Sequence, residues 1–165
     1  PTLPLLAGYA WVYVPCFGPT LPWAEAAWRT GHPGLVLDLM DLEGLPADFV
    51  EEAARRAALL FAGLSTHHPL LPRLRALAAA PGAALVVVTL GADGALACAP
   101  DGVVEVPAPP LPGPLVDTTG CGDAFAAGFL ARWTRGGRLE EALRAGGERA
   151  ARVATHRGAV PAPPV

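Results

Sequence analysis

The stretch Val116–Phe129 contains the residues of this chain best suited to chemistry. Gly120 and Gly122 allow a tight backbone turn that leads directly into an expected amphipathic helix, so neighbouring amides, including that of Cys121, should converge on one point. The partial positive charge of a helix N-terminus suits such a point to phosphate or to developing phosphoryl charge. Asp123 stands at the mouth of the turn, where a carboxylate can accept a proton from an attacking hydroxyl. The segment therefore predicts an anion site beside a general base.

A second interpretation fits the same residues. Aspartate is a favoured helix N-cap, and Gly-x-Gly segments often serve only to turn a chain. On these residues alone, capping and catalysis by Asp123 stay equally open.

Strands and helices that alternate along the chain must position this segment. Such alternation favours a layered α/β domain with a mainly parallel sheet. The turn signal Pro100-Asp101-Gly102 between two apolar runs predicts an antiparallel hairpin. The proline-rich tract 107–114 predicts an extended connector. We predict helices over 22–30, 47–60, 70–79, 123–133 and 139–155, and strands over 35–39, 84–90, 95–99 and 103–106.

The composition predicts one globular domain. The chain has 165 residues, 52% of them apolar and 16% charged, with a net charge of −3. One domain over residues 1–165 agrees with the usual domain size of roughly 150 residues. The low charge argues against intrinsic disorder and against a nucleic-acid surface. No apolar run reaches the roughly 18 to 20 residues of a membrane span, so we expect no membrane partner.

The cysteines argue against a disulfide framework and a zinc site. Cys16, Cys98 and Cys121 are odd in number and show no Cys-x-x-Cys spacing. Together with the lack of signal-peptide features at the first residues, this usage favours a cytoplasmic location. The adjacent His67 and His68 are expected to face solvent rather than to bind a metal. For Cys121, the position at a helix N-terminus suggests a lowered thiol pKa and sensitivity to oxidation. The preferred interpretation is simpler, a small residue that stands in the place of an alanine.

A known family shares the chemical segment. Asp117-Thr-Thr-Gly-Cys-Gly-Asp-Ala-Phe125 resembles the second signature of the PfkB carbohydrate kinases, which have the ribokinase-like fold, with Cys121 where alanine is more usual. Val88–Ala95 is similar to the family's nucleotide-binding strand and turn, and the downstream resemblance runs from Ala142 to Pro161. The resemblance implies a layered α/β/α fold that lacks the family's amino-terminal half and its small β lid.

The resemblance also implies an activity. It is the ATP-dependent phosphorylation of a sugar-like hydroxyl, with Asp123 as general base and Gly120, Cys121 and Gly122 as the anion hole. Magnesium would accompany ATP, and the substrate would be a small sugar. Related enzymes that phosphorylate nucleosides or vitamin precursors share this turn and remain a weaker alternative.

Further site residues follow from the resemblance alone. Thr89, Gly91 and Gly94 would lie along the nucleotide phosphates, although Thr89 also fits a strand residue that faces a turn. The family often holds a monovalent cation such as K⁺, and the resemblance places it near Asp117 and the carbonyl of Thr119. A carboxylate that caps a loop explains Asp117 equally well.

The chain also departs from the family pattern. It contains no asparagine, so the family's Asn-x-x-Glu element, expected near 60–66, is absent, and Gly147 stands where an asparagine usually lies beside the adenine. These losses leave a second hypothesis open, a degenerate nucleotide-binding remnant or a partner-dependent half-kinase. A shortened sheet would expose an apolar edge, so we expect a homo-oligomer or a partner chain.

Overall fold

The computed structural model describes residues 3–160. They divide into two compact units. Unit 1 comprises the described residues up to Thr89 together with Ala97–Val103, and unit 2 comprises Leu90–Leu96 with the described residues from Val104 onward. A single domain over residues 1–165 stays a prediction.

The secondary structure alternates as expected for an α/β chain. Among residues 3–160, no helix combines the length and apolar character needed to cross a bilayer. The sheet has six strands in the order β1-β2-β3-β4-β5-β6. The strands are β1 Val12–Pro15, β2 Leu35–Asp38, β3 Leu59–Gly63, β4 Leu85–Thr89, β5 Ala95–Ala99 and β6 Gly102–Val106; the helices are α1 Leu21–Arg29, α2 Ala47–Arg56, α3 Leu71–Ala78, α4 Cys121–Trp133 and α5 Leu139–Val153, with 3₁₀ turns at Leu3–Gly8, Gly18–Thr20 and Gly91–Asp93.

Unit 1 is built from successive strand–helix–strand crossovers. Strands β1 to β4 are parallel and each pairs with the next in the sequence. Because such crossovers are right-handed, strands added in one direction place α1, α2 and α3 on the same face of the sheet. The core consists of the apolar runs of β2, β3 and β4, with Leu35, Leu60 and Val87 fully buried.

The predicted helix over 47–60 is wrong at its end. Helix α2 stops at Arg56, the backbone of Ala57 is extended with ψ 154°, and Leu59–Gly63 is strand β3. Leu60 fits the helical spacing of the preceding residues, and a short apolar run cannot be assigned to helix or buried strand by periodicity alone. Strand β1 was not predicted, because four residues provide too little alternation to detect.

Unit 2 contains the last two helices, whereas the turn of the predicted hairpin lies in the Ala97–Val103 segment of unit 1. Two residues join β5 to β6, a connection that antiparallel neighbours permit. Helices α4 and α5 pack closely where glycines face each other. A Cβ on Gly128 would lie 2.6 Å from the Ala145 carbonyl oxygen, and one on Gly146 would lie 2.8 Å from the Phe125 carbonyl oxygen. These two glycines therefore allow the backbones of α4 and α5 to approach each other closely.

Candidate functional site

The Gly-Cys-Gly-Asp segment forms the turn into α4, as the sequence predicts. Gly120 is the N-cap with φ +80° and ψ 0°, a left-handed conformation that glycine adopts without strain. The Ala124 amide donates to the Gly120 carbonyl at 2.9 Å, which closes the first helical turn. The amides of Gly122 and Asp123 precede that bond and belong to the helix N-terminus, which lacks intrahelical acceptors.

One amide of the expected anion hole already donates a hydrogen bond within the turn. The Cys121 N–H donates to the Thr118 carbonyl oxygen at 3.1 Å. This bond belongs to the turn itself, and a role for the Cys121 amide in the anion hole stays a prediction. Gly122 and Asp123 supply the open amides of the turn.

The two glycines of the turn have different surroundings. A Cβ on Gly120 would lie 2.4 Å from the Cβ and 2.8 Å from the Cα of Ala159, whereas nothing lies within 4 Å of a Cβ on Gly122. Gly120 is therefore required by the backbone conformation and by a close neighbour. Gly122 is accessible from outside the fold.

Asp117 ties the turn to the loop that follows α5. Its Oδ1 accepts the Thr119 amide at 2.9 Å, and its Oδ2 accepts the Gly158 amide at 2.9 Å. These amide hydrogen bonds, first that of Thr119 and then that of Gly158, lower the pKa of Asp117 from 3.8 to about 2. This geometry favours the loop-capping role of Asp117, and a cation held by Asp117 and the Thr119 carbonyl stays a prediction.

Asp123 lies in the first turn of α4 with an exposed side chain. No side-chain hydrogen bond caps the helix at its N-cap position. An exposed carboxylate at the entrance of an open helix N-terminus is accessible to a substrate hydroxyl. Its position is therefore compatible with the general-base role, which stays a prediction.

The predicted nucleotide residues occupy the β4–β5 region. Thr89 ends β4 in unit 1, where its Oγ1 would lie 3.4 Å from a Cβ on Gly63. Gly91 and Gly94 flank a 3₁₀ turn in unit 2 with φ +61° and +104°. A Cβ on Gly94 would lie 2.1 Å from the Val106 carbonyl oxygen. Close backbone packing therefore explains Gly94 without a ligand, while Gly91 has open space.

Gly147 lies on α5 against the proline-rich connector. A Cβ at this position would lie 3.1 Å from Cδ of Pro109. The connector therefore packs against α5 where the family resemblance places an asparagine side chain. An asparagine at 147 would require Pro109 to shift.

The expectation of a reactive Cys121 is wrong. Burial, and next the negative charge of Asp117, raise the pKa of its thiol. The Sγ is 3.6 Å from the Ala150 carbonyl oxygen, so the side chain points toward α5. Partial desolvation and the Asp117 charge both disfavour the thiolate, which is opposite to the effect expected from a helix N-terminus.

The loop after α5 was missed in the sequence. Gly158 and Ala159 support the turn through Asp117 and Gly120, and Nδ1 of His156 in the same loop is buried without a hydrogen-bond partner. Among the described residues, no group of three or more His, Cys, Asp or Glu side chains is arranged for a metal, and His68 accepts the Leu70 amide through Nδ1.

Comparison with known proteins decides the family. The profile of the pfkB family carbohydrate kinases matches residues 52–164, more than half of the chain and all of the α4 turn. The chain belongs to the pfkB family. The resemblance on the Asp117–Phe125 segment is thereby confirmed. A cytidine kinase from Thermococcus kodakarensis is 54% identical over 74 residues, 44% of this chain and 26% of that one.

A second curated relative and two solved structures are also similar to this chain. The 2-dehydro-3-deoxygluconokinase of Escherichia coli K12 is 46% identical over 77 residues, 46% of this chain and 25% of its own. The adenosine kinase from Sinorhizobium meliloti superposes with a TM-score of 0.75 at 26% identity, covering 96% of this chain and 53% of that one. A microbiome-derived acarbose kinase gives 0.76 at 24% identity, covering 98% and 54%. The ribokinase-like α/β fold is confirmed, and the chain spans about a quarter of the curated relatives and about half of the solved ones.

Proposed function

We propose that this chain forms the phosphate-binding and catalytic part of a pfkB-type kinase that transfers the γ-phosphoryl group of ATP to a carbohydrate hydroxyl. The observation that carries the proposal is the turn into α4, which combines the open amides of Gly122 and Asp123 with an exposed carboxylate inside the matched segment. An aminoimidazole riboside kinase of the same fold has been solved with an ATP analogue. A cytoplasmic location accords with this role.

The chemistry assigns a task to each group. A substrate hydroxyl oxygen attacks the γ-phosphorus, the bond to the β–γ bridging oxygen breaks, and ADP leaves with its electron pair. Asp123 accepts the hydroxyl proton. The amides of Gly122 and Asp123 stabilise negative charge on the transferring group, since donors already oriented by the helix need no rearrangement. Gly91 provides an open turn for the remaining phosphates.

Metal ions fit this site unequally. Mg²⁺ neutralises phosphate charge when it is bound with ATP, but the described residues provide no cluster of three ligands for it, so phosphates and water would hold it. A K⁺ ion would have to share Asp117 with two amide donors. No step of the mechanism depends on either ion.

The candidate functions differ in the acceptor that is phosphorylated and in whether the chain catalyses transfer at all. Sugars are preferred because of the Asp-Thr-Thr and Asp-Ala-Phe ends of the segment. The 54% identity to a cytidine kinase favours a nucleoside hydroxyl as the second candidate. A binding protein without turnover is the third, favoured by the absence of asparagine.

The decisive experiment is calorimetric titration of the chain with Mg-ATP in potassium buffer. We expect binding in the micromolar to millimolar range, and Asp123→Asn should retain it because the amides are unchanged. With a supplied amino-terminal half and candidate sugars, Asp123→Asn should abolish phosphoryl transfer. No binding by a folded sample would contradict the proposal, and turnover by Asp123→Asn would remove Asp123 from the mechanism.

A further inference from the structure

The loop after α5 holds an arginine, Arg157, beside the turn into α4. The loop and the turn both lie in unit 2. Before Arg157 in the chain, the Ala154 carbonyl oxygen accepts the Val116 amide at 2.9 Å. Directly after it, the Gly158 amide donates to Oδ2 of Asp117 at 2.9 Å. The backbone of Arg157 is therefore fixed next to the turn from both directions.

The side chain of Arg157 is exposed, and its charge acts on the turn. The amide hydrogen bonds from Thr119 and then Gly158 are the main causes that lower the pKa of Asp117 to about 2. The positive charge of Arg157 contributes in the same direction to a smaller extent. The guanidinium therefore lies close enough to the turn to stabilise negative charge there.

A nucleotide at this turn needs more positive charge than the turn supplies. Asp117 and Asp123 already place two carboxylates at the start of α4, and phosphate groups add further negative charge. The helix N-terminus offers only a partial positive charge. The chain contains no lysine, so a full positive charge supplied by a long side chain of this chain must come from an arginine.

The other arginines of unit 2 are less suited to this task. In the described part they lie on or beside α4 and α5: Arg132, Arg135, Arg138, Arg144, Arg149 and Arg152. Arg132 and Arg144 form ion pairs with glutamates of α5. Arg135 donates to the Ala131 carbonyl oxygen at 2.8 Å. The arginine whose charge lowers the pKa of Asp117 is Arg157.

We propose that Arg157 binds the phosphate groups of the nucleotide that occupies the turn into α4. The inference rests on the proposed function, because it requires a nucleotide at this turn. A guanidinium donates two parallel hydrogen bonds to one phosphate group and stays charged throughout the pH range of folded proteins. The phosphates are then contacted from two segments, by the open amides of Gly122 and Asp123 and by a side chain of the loop after α5.

Calorimetric titration with Mg-ATP tests the proposal on variants of the chain. Arg157→Met removes the charge but keeps a long unbranched side chain, and its dissociation constant should be at least about tenfold larger than that of the parent, as for loss of a charged hydrogen bond. Arg157→Lys keeps the charge without the planar fork and should lie between the two. Arg152→Met removes an exposed arginine from the last turn of α5 and should leave the affinity unchanged.

Inorganic tripolyphosphate shows whether the effect concerns the phosphates. This probe lacks ribose and adenine, so Arg157→Met should weaken its binding by a factor similar to that for Mg-ATP. Urea denaturation should give each variant a midpoint close to that of the parent, because the replaced side chains are exposed. Arg157→Gln is measured in place of Arg157→Met if the methionine variant does not fold.

The outcomes separate this inference from the proposed function. Failure of the folded parent chain to bind Mg-ATP would contradict both. Binding by the parent and equally tight binding by Arg157→Met would overturn only the role of Arg157. Equal weakening by Arg152→Met would assign the effect to general surface charge and also overturn that role, as would weaker binding of Mg-ATP with unchanged binding of tripolyphosphate.

Discussion

Replacement of Gly120 by alanine tests how the catalytic turn is held. The residue adopts φ +80°, and its new Cβ would lie 2.4 Å from Cβ of Ala159. The left-handed conformation costs alanine about 1–2 kcal/mol. Overpacking against a neighbour adds about 1–3 kcal/mol. The free energy of unfolding should therefore fall by about 2–5 kcal/mol.

Gly136→Ala is the matched control. Gly136 has the same φ of +80°, but nothing lies within 4 Å of its Cβ position. It therefore carries only the conformational cost of about 1–2 kcal/mol. Both substitutions change the unfolded chain alike, so the difference between the variants, about 1–3 kcal/mol, isolates the contact with Ala159.

Urea denaturation followed by circular dichroism measures both variants. The midpoint of Gly120→Ala should lie below that of Gly136→Ala at equal slope. Equal midpoints would show that a Cβ at position 120 makes no unfavourable steric contact with Ala159 in the loop after α5. The role of Ala159 in supporting the turn would then have to be abandoned.

The Gly122→Ala variant should fold normally, because nothing lies within 4 Å of its Cβ position. If phosphate approaches the amide of this residue, calorimetry should show Mg-ATP binding at least about tenfold weaker than in the parent chain. Unchanged affinity would exclude Gly122 from the anion site. Asp117 has its pKa lowered from 3.8 to about 2, so its stabilising effect is present above about pH 4 and lost as the pH falls towards 2. Asp117→Asn should flatten that part of the curve of melting temperature against pH, and an identical curve would contradict this. Cys121 has a raised thiol pKa, so iodoacetamide at pH 8 should alkylate it more slowly than a cysteine in a short peptide. Faster alkylation would contradict this and support the hypothesis of a reactive thiol.

Local signals predicted the parts of the fold that depend on neighbours in sequence. The Gly-Cys-Gly-Asp turn opens α4 because glycine conformation and helix start are local properties. The hairpin at Pro100-Asp101 follows from turn chemistry for the same reason. The boundary at Ala57 was missed because the residues after it satisfy helical spacing, while the pairing of Leu59 with Val36 and Leu85 makes them a strand.

The support of the site was beyond prediction from neighbouring residues. Asp117 and Gly158 are 41 positions apart, and no pattern within one segment connects them. The raised pKa of the Cys121 thiol could not be predicted either, because the sequence shows the helix start but not the α5 backbone that the sulfur packs against. Both cases concern packing of distant segments, which a single sequence does not display.

The sequential strand order of unit 1 affects how it acquires its structure. Register partners in β1 to β4 are separated by similar short stretches, as Val12 is paired with Leu35, Val36 with Leu59 and Leu59 with Leu85. Each parallel strand therefore closes onto the one synthesised just before it, which keeps loop-closure entropy small and contact order low for a parallel sheet. We expect these pairs to form one after another as the chain leaves the ribosome, before helix α4 has emerged.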